Sequence, residues 1–421
     1  MQFTFAAACA SIIFAPVGLP LAIGIQHCLV GFVVSQAVVA FTTHVPSGVS
    51  LAVPSFECLP FLARFAVIVA GAVGKGDGGT NAVLATVLAG SVLTNVLASL
   101  LLAISSTLPV DDIDRLLPPP VQAGLFAAIG WGVYLLAFDT LGVTFSPASL
   151  LTKSAATLWV PANVLGIGLW KASRSVDSPL LIPVFIVAVA ALVHGSCLVT
   201  GTSIAAARAG GWLMAEAAGR PATALWHALR PSLVRWDVIF SSAAIKQLLF
   251  AAIFGPLVNT VLNFVLYGPL VGEKLDLKAE CRSHSLGALA AASAGGYSNY
   301  IGLSDAAIHR KIGGLDRFSC YVASAVGALF LVAYPLCGAV GYLPTLAIAA
   351  ICIFVGCDFL YDNIYDNFRT NGARTGLATS AILAVCVRKD MLWGLITGII
   401  GAQGLGWWNR RTRSKEGKGT A

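Results

Sequence analysis

The chain has 421 residues, of which 57% are hydrophobic and only 11% are charged, and its formal net charge is +7. Soluble globular domains carry about 25% charged residues, so this composition excludes a soluble protein and indicates an integral membrane protein. It also excludes a nucleic-acid-binding protein, because that function needs a basic face on a folded domain and the apolar stretches leave no room for one.

Apolar stretches long enough to form membrane helices recur to about residue 408, since about 20 apolar residues cross the hydrocarbon core. Seven precede a more polar linker at 201–237, and they lie at about 4–24, 25–43, 50–72, 80–105, 120–143, 155–171 and 179–200. Seven follow it, at about 238–267, 283–297, 303–313, 318–339, 343–361, 375–388 and 391–408. We therefore predict an all-α polytopic membrane protein with about 14 transmembrane segments.

Residues 1–408 are predicted to form one transmembrane domain, and 409–421 a basic tail. No lysine or arginine precedes Arg64, and a secretory signal peptide needs a basic start. The first apolar stretch is therefore predicted to be a retained span. The lysines and arginines of the tail place the C-terminus in the cytosol by the positive-inside rule.

The two groups of apolar stretches are interrupted in the same order. The paired interruptions are 14–16 with 254–256, 45–48 with 295–298, and 117–120 with 342–344. Corresponding interrupted segments in two halves are typical of inverted repeats. An odd number of spans per half gives the second copy the opposite orientation in the membrane. We predict a 7+7 inverted repeat, with the first repeat at about 4–200 and the second at about 238–408.

The stretch 293–314 combines glycines, serines and an asparagine within this apolar surrounding. Irregular backbone at membrane depth is tolerated only where it is buried in protein or lines a cavity. A polar, glycine-rich interruption followed by a short helix is typical of a transporter's central site. Gly302, Leu303, Ser304 and Asp305 are therefore predicted to bind substrate.

A second interruption precedes Pro54, and Ser55 and Phe56 are predicted to face the same site. A helix that begins there presents unpaired N–H groups and about half a positive charge. Two such half-helices are predicted to meet at mid-membrane depth, where their ends attract an anion. The serine hydroxyls either cap these helices or donate to a bound oxyanion.

Carboxylic acids accompany both predicted helix ends, Glu57 at the first and Asp305 at the second. If both are ionised, they oppose an anion. Three alternatives stay open: the acids are first-turn partners of the helix dipoles, they are protonated when substrate binds, or the substrate is not a simple anion. Ionisable groups inside a membrane are functional candidates, so Glu57, Asp305 and His309, one turn after Asp305, are candidates for proton coupling.

Two amides lie one helical turn apart after Pro256, at Asn259 and Asn263. They are predicted to line the site as uncharged donors and acceptors, or else to connect helices. The cysteines show no paired or metal-ligand spacing, and no motif of a hydrolase, zinc enzyme or nucleotide-binding loop is present. We therefore predict a protein that is not an enzyme and needs no metal or cofactor.

The order of these features resembles the SulP (sulfate permease) family of anion transporters over about residues 10–408, in its fungal and algal branch. The resemblance is most specific in Leu275-Asp276-Leu277-Lys278-Ala279-Glu280, which is similar to an acidic loop of the family, and in the break and Arg310–Gly314 that follow. Further similar stretches are 340–344 and 390–398. The resemblance implies a core domain that moves against a gate domain, with substrate between the third and tenth helices.

Two features depart from the family. Its members usually carry a cytosolic STAS domain after the last span, whereas we expect this chain to lack one because only about a dozen residues follow that span, and an acid common on their eighth helix is replaced by Asn259. We expect a secondary active transporter of a small, sulfate-like anion that works by alternating access, with proton coupling as an option. The alternatives are another solute on the same fold (bicarbonate, borate or a nucleobase-like molecule) and a non-transporting scaffold. Membrane lipid and a second copy of the chain are the other expected partners.

Overall fold

The computed structural model describes residues 2–74, 79–107, 118–176, 178, 180–214, 220–271, 275–302, 305–306, 309–310, 314–333, 339–389 and 393–401. The elements of the first half are α1 (Gln2–Phe14), α2 (Leu21–Thr42), β1 (Ala52–Pro54), α3 (Leu59–Val73), α4 (Gly79–Ser105), α5 (Pro119–Thr140), α6 (Pro147–Leu150), α7 (Lys153–Ser173) and α8 (Leu181–Thr200). Those that follow are α9 (Ile204–Ala209), α10 (Ala224–Ala228), α11 (Trp236–Ile239), α12 (Ser242–Ala252), α13 (Val258–Val271), α14 (Leu277–Ser293), β2 (Asn299–Ile301), α15 (Arg317–Val332), α16 (Thr345–Leu360) and α17 (Asn367–Arg388). Single π-helical segments join α12 to α13 (Ile253–Leu257) and α16 to α17 (Tyr361–Asp366).

Within these described ranges, six helical stretches are long and apolar enough to cross a membrane. They are Leu21–Thr42, Gly79–Ser105, Pro119–Thr140, Leu181–Thr200, Ser242–Val261 and Thr345–Arg388. Three shorter apolar helices accompany them, at Phe5–Val17, Leu59–Val73 and Arg317–Val332. The chain is therefore a multi-pass integral membrane protein with a mostly helical fold, while the count of 14 spans stays a prediction.

The first predicted span, at about 4–24, extends too far. Helix α1 stops at Phe14, and a 3₁₀ turn over Ala15–Val17 follows it. Gly18 then adopts a left-handed conformation with φ of 71°, which suits a residue without Cβ. Pro20 lacks an N–H and precedes α2 directly. The prolines and Gly18 therefore interrupt a stretch that hydropathy alone predicts as one continuous span.

Helices α2, α4 and α14 pack together around buried polar contacts. The Ser285 hydroxyl of α14 donates to the Ser99 carbonyl of α4 at 2.9 Å, and the Asn95 amide of α4 donates to the Gly296 carbonyl at 2.7 Å. Residue numbers thus fall along α4 as they rise along α14, so the two helices are antiparallel. A Cβ on Gly287 of α14 would lie 2.8 Å from a methyl group of Val39 in α2. Small residues of this kind let membrane helices approach closely.

Most of the described chain is helical, as predicted, and one short sheet is the exception to the all-α prediction. Strands β1 and β2 form a two-stranded antiparallel sheet. Both strands are only three residues long, and each follows one of the two predicted interruptions, 45–48 and 295–298.

The chain divides into two compact units. The first comprises Met1–Leu108 and Leu136–Ile351, and it contains both strands and α1–α4. The second comprises Pro109–Leu135 and Cys352–Ala421. Within the second, a Cβ on Gly124 would lie 2.7 Å from Ile382 of α17, so a glycine again permits close helix packing. The division into two sequence repeats is a different partition and stays a prediction.

Candidate functional site: the junction of two interrupted segments

The two predicted interruptions lead into strands that pair with each other. Ala52 lies opposite Ile301, Val53 opposite Tyr300, and Pro54 opposite Asn299. Backbone hydrogen bonds continue the pairing on both sides, from the Ser55 N–H to the Ser298 carbonyl at 3.0 Å and from the Gly302 N–H to the Leu51 carbonyl at 3.2 Å. Hydrogen bonds between the two strands satisfy polar backbone groups that would be costly to bury unpaired.

Helix α3 starts later than the sequence suggests. It begins at Leu59, and its N-cap is Cys58, whose side chain makes no capping bond. The alternative in which the Ser55 hydroxyl caps this helix is therefore wrong. This hydroxyl donates instead to Oε2 of Glu57 at 3.0 Å. The amino-terminal end of α3 nevertheless follows β1 after only four residues, so its dipole points toward the junction.

A helical turn also follows β2. The Ala306 N–H donates to the Gly302 carbonyl at 2.9 Å, and Asp305 and Ala306 are helical. Two predicted binding residues, Leu303 and Ser304, lie outside the described residues. A Cβ on Gly302 would lie 2.5 Å from Val53 and 3.0 Å from Oδ2 of Asp305. Only glycine fits there, and the Asp305 carboxyl therefore lies against the sheet.

Glu57 connects the two interruptions. The Tyr300 hydroxyl of β2 donates to Oε1 of Glu57 at 3.1 Å, while Ser55 donates to the other carboxyl oxygen. The Glu57 side chain is only 3% exposed. In the same place, the Tyr297 hydroxyl donates to the Ser55 carbonyl at 2.7 Å. A carboxyl group whose two oxygens both accept bonds is held in one orientation, and a change in its protonation would disturb both segments.

Phe56 and His309 have other neighbours. The Phe56 ring packs edge-on against Phe5 of α1, with ring centroids 5.1 Å apart. The Nε2 atom of His309 pairs with the Ser319 hydroxyl at 2.8 Å, and the ring covers Gly314. The structure thus places His309 against the start of α15, and the proposed sharing of a proton with Asp305 stays a prediction.

The two predicted amides, Asn259 and Asn263, donate hydrogen bonds to backbone carbonyls. The Asn259 amide donates to the Phe254 carbonyl at 2.7 Å and to the Gly255 carbonyl at 3.1 Å. Those carbonyls belong to the π-helical segment that Pro256 interrupts, so Asn259 satisfies groups that the irregular turn leaves open. The Asn263 amide donates to the Ile301 carbonyl at 2.6 Å. Asn263 therefore ties α13 to β2.

Helix α2 approaches the second interruption backbone to backbone. A Cβ on Gly31 would lie 2.3 Å from the Tyr297 carbonyl oxygen, and a Cβ on Gly296 would lie 2.4 Å from the Gly31 Cα. The Tyr297 N–H donates to the His27 carbonyl at 2.9 Å. The Gly-rich sequence of the break thus has a steric reason as well as a conformational one.

Two buried histidines that were not among the predicted site residues form hydrogen bonds with the two interrupted segments. His27 of α2 pairs through Nδ1 with the Gly295 carbonyl at 2.8 Å and through Nε2 with the Ser91 hydroxyl at 2.7 Å. Since a carbonyl only accepts, Nδ1 carries the proton and Nε2 accepts from Ser91. His284 of α14 pairs with the Ser50 hydroxyl, just before β1, at 3.1 Å. Each histidine lies within a helix of one half and contacts the chain at the break of the other half (Gly295) or just after it (Ser50).

The acidic stretch 275–280 is not a loop, which corrects the sequence-based interpretation. Asp276 accepts bonds from the Lys278 and Ala279 N–H groups and caps α14. Glu280 is therefore in the first turn, where it is fully buried. It accepts from the Thr43 hydroxyl at 2.9 Å and from the His44 N–H. Glu280 thus fastens the chain that leaves α2 on its way to β1.

Two buried polar atoms at the junction have no hydrogen-bond partner, the Ser298 hydroxyl and Oδ1 of Asn299. Both side chains are at most 5% exposed. Buried polar groups are nearly always paired, so these are the atoms with which a water or solute at the junction would pair. No sequence signal distinguishes them from the other polar residues of the break.

Elsewhere in the described residues, two further features bear on function. No group of three or more histidine, cysteine or carboxylate side chains in those ranges is arranged to hold a metal ion. A cavity of about 240 Å³ contains none of the predicted site residues, and it is lined by Ala15, Pro16, Asp139, Thr140, Gly142, Met214 and Thr345.

Comparison with known proteins gives structural but not sequence matches. No protein-family model and no curated protein matches the chain. The transmembrane domain of a cyanobacterium bicarbonate transporter, BicA, superposes with a TM-score of 0.61 and 16% identity, over 94% of this chain and 97% of that domain. SLC26A9 superposes with a TM-score of 0.65 and 11% identity. The murine Solute Carrier 26 family member A9 anion transporter in the inward-facing state gives 0.64 and 12%.

The chain has the fold of these transporters. Both superpositions on A9 cover 97% of this chain, which spans 64% and 68% of those longer proteins. This fold is the one that the SulP resemblance implied. Identities of 11–16% support a shared fold but not a shared substrate. The substrate therefore has to be inferred from the residues of the junction.

Proposed function

We propose that this chain is a secondary active transporter that moves a small anion by alternating access, with a proton carried along. The observation that carries the proposal is the β1–β2 pairing, since it brings the start of α3 and the helical turn at Asp305 to one place. The fold is one that known anion transporters share, a bicarbonate transporter among them. Sulfate and bicarbonate are therefore the first substrates to test.

Helix ends supply the attraction for an anion. The amino terminus of α3, and that of the half-helix that we predict to begin near Asp305, each contribute unpaired N–H groups and a partial charge of about +0.5. Two ends together offset about one negative charge, and the free Ser298 hydroxyl is an additional donor. This is how backbone alone can bind an anion without an arginine or lysine.

The carboxyl groups determine the need for a proton. Glu57 and Asp305 together carry two negative charges when ionised, against about one positive charge from the helix ends. An anion would then meet net repulsion. Protonation of either carboxyl removes the repulsion, so we infer that proton and anion are taken up together. Protonation of Glu57 would act on both segments, because Ser55 and Tyr300 donate to its two carboxyl oxygens.

Uptake of labelled sulfate and bicarbonate into proteoliposomes tests the proposal, with the outer buffer either acidic or neutral. We expect faster uptake from acidic buffer. Glu57→Gln or Asp305→Asn should remove this pH dependence, because an amide resembles the protonated acid but does not titrate. The matched control is Asp237→Asn, which removes an exposed carboxylate of the linker and should leave the pH profile unchanged. Uptake that is equally fast at both pH values in the parent protein rejects proton coupling.

The alternative substrate class is a neutral solute. Two carboxyl groups without a lysine or arginine among the predicted site residues favour a molecule that donates hydrogen bonds, such as a nucleobase-like compound. That solute would be bound without a proton, and its uptake would compete with neither sulfate nor bicarbonate. If neither anion is transported while a neutral donor-rich solute is, this alternative replaces the anion.

We also propose that the chain is an inverted repeat whose core domain moves against a gate domain. The matched contacts of His27 and His284 support it, because each contacts the chain at the break of the opposite half or just after it. The antiparallel pairing of β1 and β2 is the arrangement expected of two turned-over copies.

A further inference from the structure

One exposed stripe of α14 changes character along the helix. Lys278 and Arg282 are exposed in its first two turns, and they are followed on the same face by Leu286 and Leu289, which are 49% and 46% exposed. Positions four and then three residues apart lie on one face of a helix. The stripe therefore begins with two cations, about 6 Å apart along the axis, and continues as leucine.

The neighbouring helix α4 has a matching apolar stripe. Val96, Leu100 and Ile104 are 40%, 57% and 48% exposed, and they too lie one turn apart. The Ser285–Ser99 contact fixes the relative height of the two antiparallel helices. Counting outward from it at 1.5 Å per residue brings Arg282 level with the last turn of α4, so the cations lie at the end of the span.

Both stripes face the same side of the helix pair. In each helix the exposed residue directly follows the contact residue, Leu286 after Ser285 and Leu100 after Ser99. A step of one residue rotates the side chain by about 100° around a right-handed helix. Because the helices are antiparallel, these two rotations turn both side chains toward the same side. α4 and α14 thus form one shallow surface, apolar along its length and cationic at one end.

The two cations have no acidic partner within the described ranges. Glu280, which lies between them in sequence, is buried against Thr43 and His44. Asp276 is engaged as the helix cap. An arginine on the lipid-facing side of a membrane helix is costly unless its charge reaches water or pairs with an opposite charge.

We propose that this α4–α14 surface binds an anionic phospholipid, whose phosphate lies between Lys278 and Arg282 and whose acyl chains cover Leu286, Leu289 and the apolar stripe of α4. The order of the stripe, cations and then leucines, matches the order of a phospholipid from head group to tail. Arginine and lysine are both good donors to phosphate. A free phosphate ion would use only the cations, and the leucines would then have no part in binding.

The experiment measures lipid binding to the purified full chain by native mass spectrometry, with phosphatidylglycerol and phosphatidylcholine of identical acyl chains. Near a membrane surface each cation contributes about 1 kcal/mol to binding anionic lipid, which is about fivefold in affinity. The double variant Lys278→Gln and Arg282→Gln should therefore bind phosphatidylglycerol roughly 25-fold more weakly. Binding of phosphatidylcholine should be unchanged.

A matched control removes two other exposed cations, Arg220→Gln and Arg230→Gln in the linker, and should keep the phosphatidylglycerol affinity of the parent. A second measurement compares the thermal unfolding temperature with phosphatidylglycerol and with inorganic phosphate, and only the lipid should raise it. The proposal is overturned if the double variant retains the parent affinity, if the control variant loses it equally, or if inorganic phosphate stabilises as much as the lipid. Both variants alter exposed side chains, so equal unfolding temperatures in phosphatidylcholine verify that they fold.

Discussion

The segment that leads into β1 and the segment that leads into β2 are both mostly buried, but different contacts fix them. Before β1, residues 43–51 are held by side chains: Glu280 binds Thr43 and His44, and the Tyr267 hydroxyl donates to the Val49 carbonyl at 2.6 Å. The Gln36 amide also bonds the chain on both sides of Leu51, at the Ser50 carbonyl and the Ala52 N–H.

Before β2, residues 294–298 are held by close backbone packing as well as by side chains, among them Trp226, whose ring N–H donates to the Ala294 carbonyl at 2.9 Å. Gly31 of α2 touches the backbone of Tyr297, and Gly296 touches the backbone of Gly31. His27 and Asn95 add bonds to the glycine carbonyls. One segment is therefore held mainly by polar contacts, whereas the other combines polar contacts with a steric fit that leaves no spare room. Substitutions should therefore loosen the first and displace the second.

The largest effect is expected for Gly31→Ala. The added methyl group would overlap a backbone carbonyl 2.3 Å away, which cannot rotate aside as a side chain does. Overpacking of a buried site costs about 1–3 kcal/mol or more, so a lower unfolding temperature and loss of transport are expected. Gly195→Ala in α8 is the matched control, since no atom lies within 4 Å of its added Cβ. Equal unfolding temperatures for the two variants would contradict the steric interpretation.

A smaller and more local effect is expected for Glu280→Gln. The amide keeps one acceptor but presents an N–H₂ group to donors at Thr43 and His44, and an unsatisfied buried group costs about 1–3 kcal/mol. Hydrogen exchange should rise in residues 43–51 and stay unchanged in 294–298. A rise of equal size in both segments would show that the two are not held independently.

Tyr297→Phe removes one bond between the two segments, from the tyrosine hydroxyl to the Ser55 carbonyl. A single intramolecular hydrogen bond contributes about 0.5–1.5 kcal/mol, so the unfolding temperature should fall slightly. Tyr321→Phe, at a partly exposed tyrosine of α15, provides the reference. The prediction fails if the reference variant is destabilised as much.

The smallest effect is expected outside the membrane, at the exposed pair of Arg235 and Asp237 in the linker. The Arg235 guanidinium donates to both carboxylate oxygens, at 2.9 and 2.7 Å, and holds the pKa of Asp237 below its usual range. A lowered pKa in the folded state stabilises the fold above the unfolded-state pKa, and this contribution is lost as the pH falls through the folded-state pKa.

The unfolding temperatures of the parent and of Asp237→Asn should therefore differ slightly at neutral pH and converge in acid. Exposed pairs contribute little because water screens them. A difference that grows on acidification would have the wrong sign.

Hydropathy located most of the helices well, because the membrane requires long apolar runs. The predicted spans at 80–105 and 179–200 correspond to Gly79–Ser105 and Leu181–Thr200. The glycine-rich break and its partner before Pro54 were also recognisable, since polar, irregular backbone at membrane depth is rare.

The partners of individual polar residues could not be predicted. Asn259 looks like a site residue in the sequence, yet its amide donates to the nearby backbone carbonyls of Phe254 and Gly255. His27 and His284 look like isolated histidines in apolar helices, and only the fold brings each to the opposite break or just after it. The strands were missed because three residues are too few to show alternation.

The pairing of the two interruptions is the central claim, and cross-linking tests it most directly. Leu51/Gly302 and Ser55/Ser298 are hydrogen-bonded pairs, so Ala52 and Ile301 form a non-hydrogen-bonded pair with Cα atoms about 4.5 Å apart, within the range of a disulfide. Mild oxidation of the Ala52→Cys, Ile301→Cys variant should link the two segments, as mass spectrometry of the digested protein would show. The Ala52→Cys, Tyr300→Cys variant should not cross-link, because neighbouring strand residues point to opposite faces. No cross-link in the first variant, or equal cross-linking in both, would contradict the account.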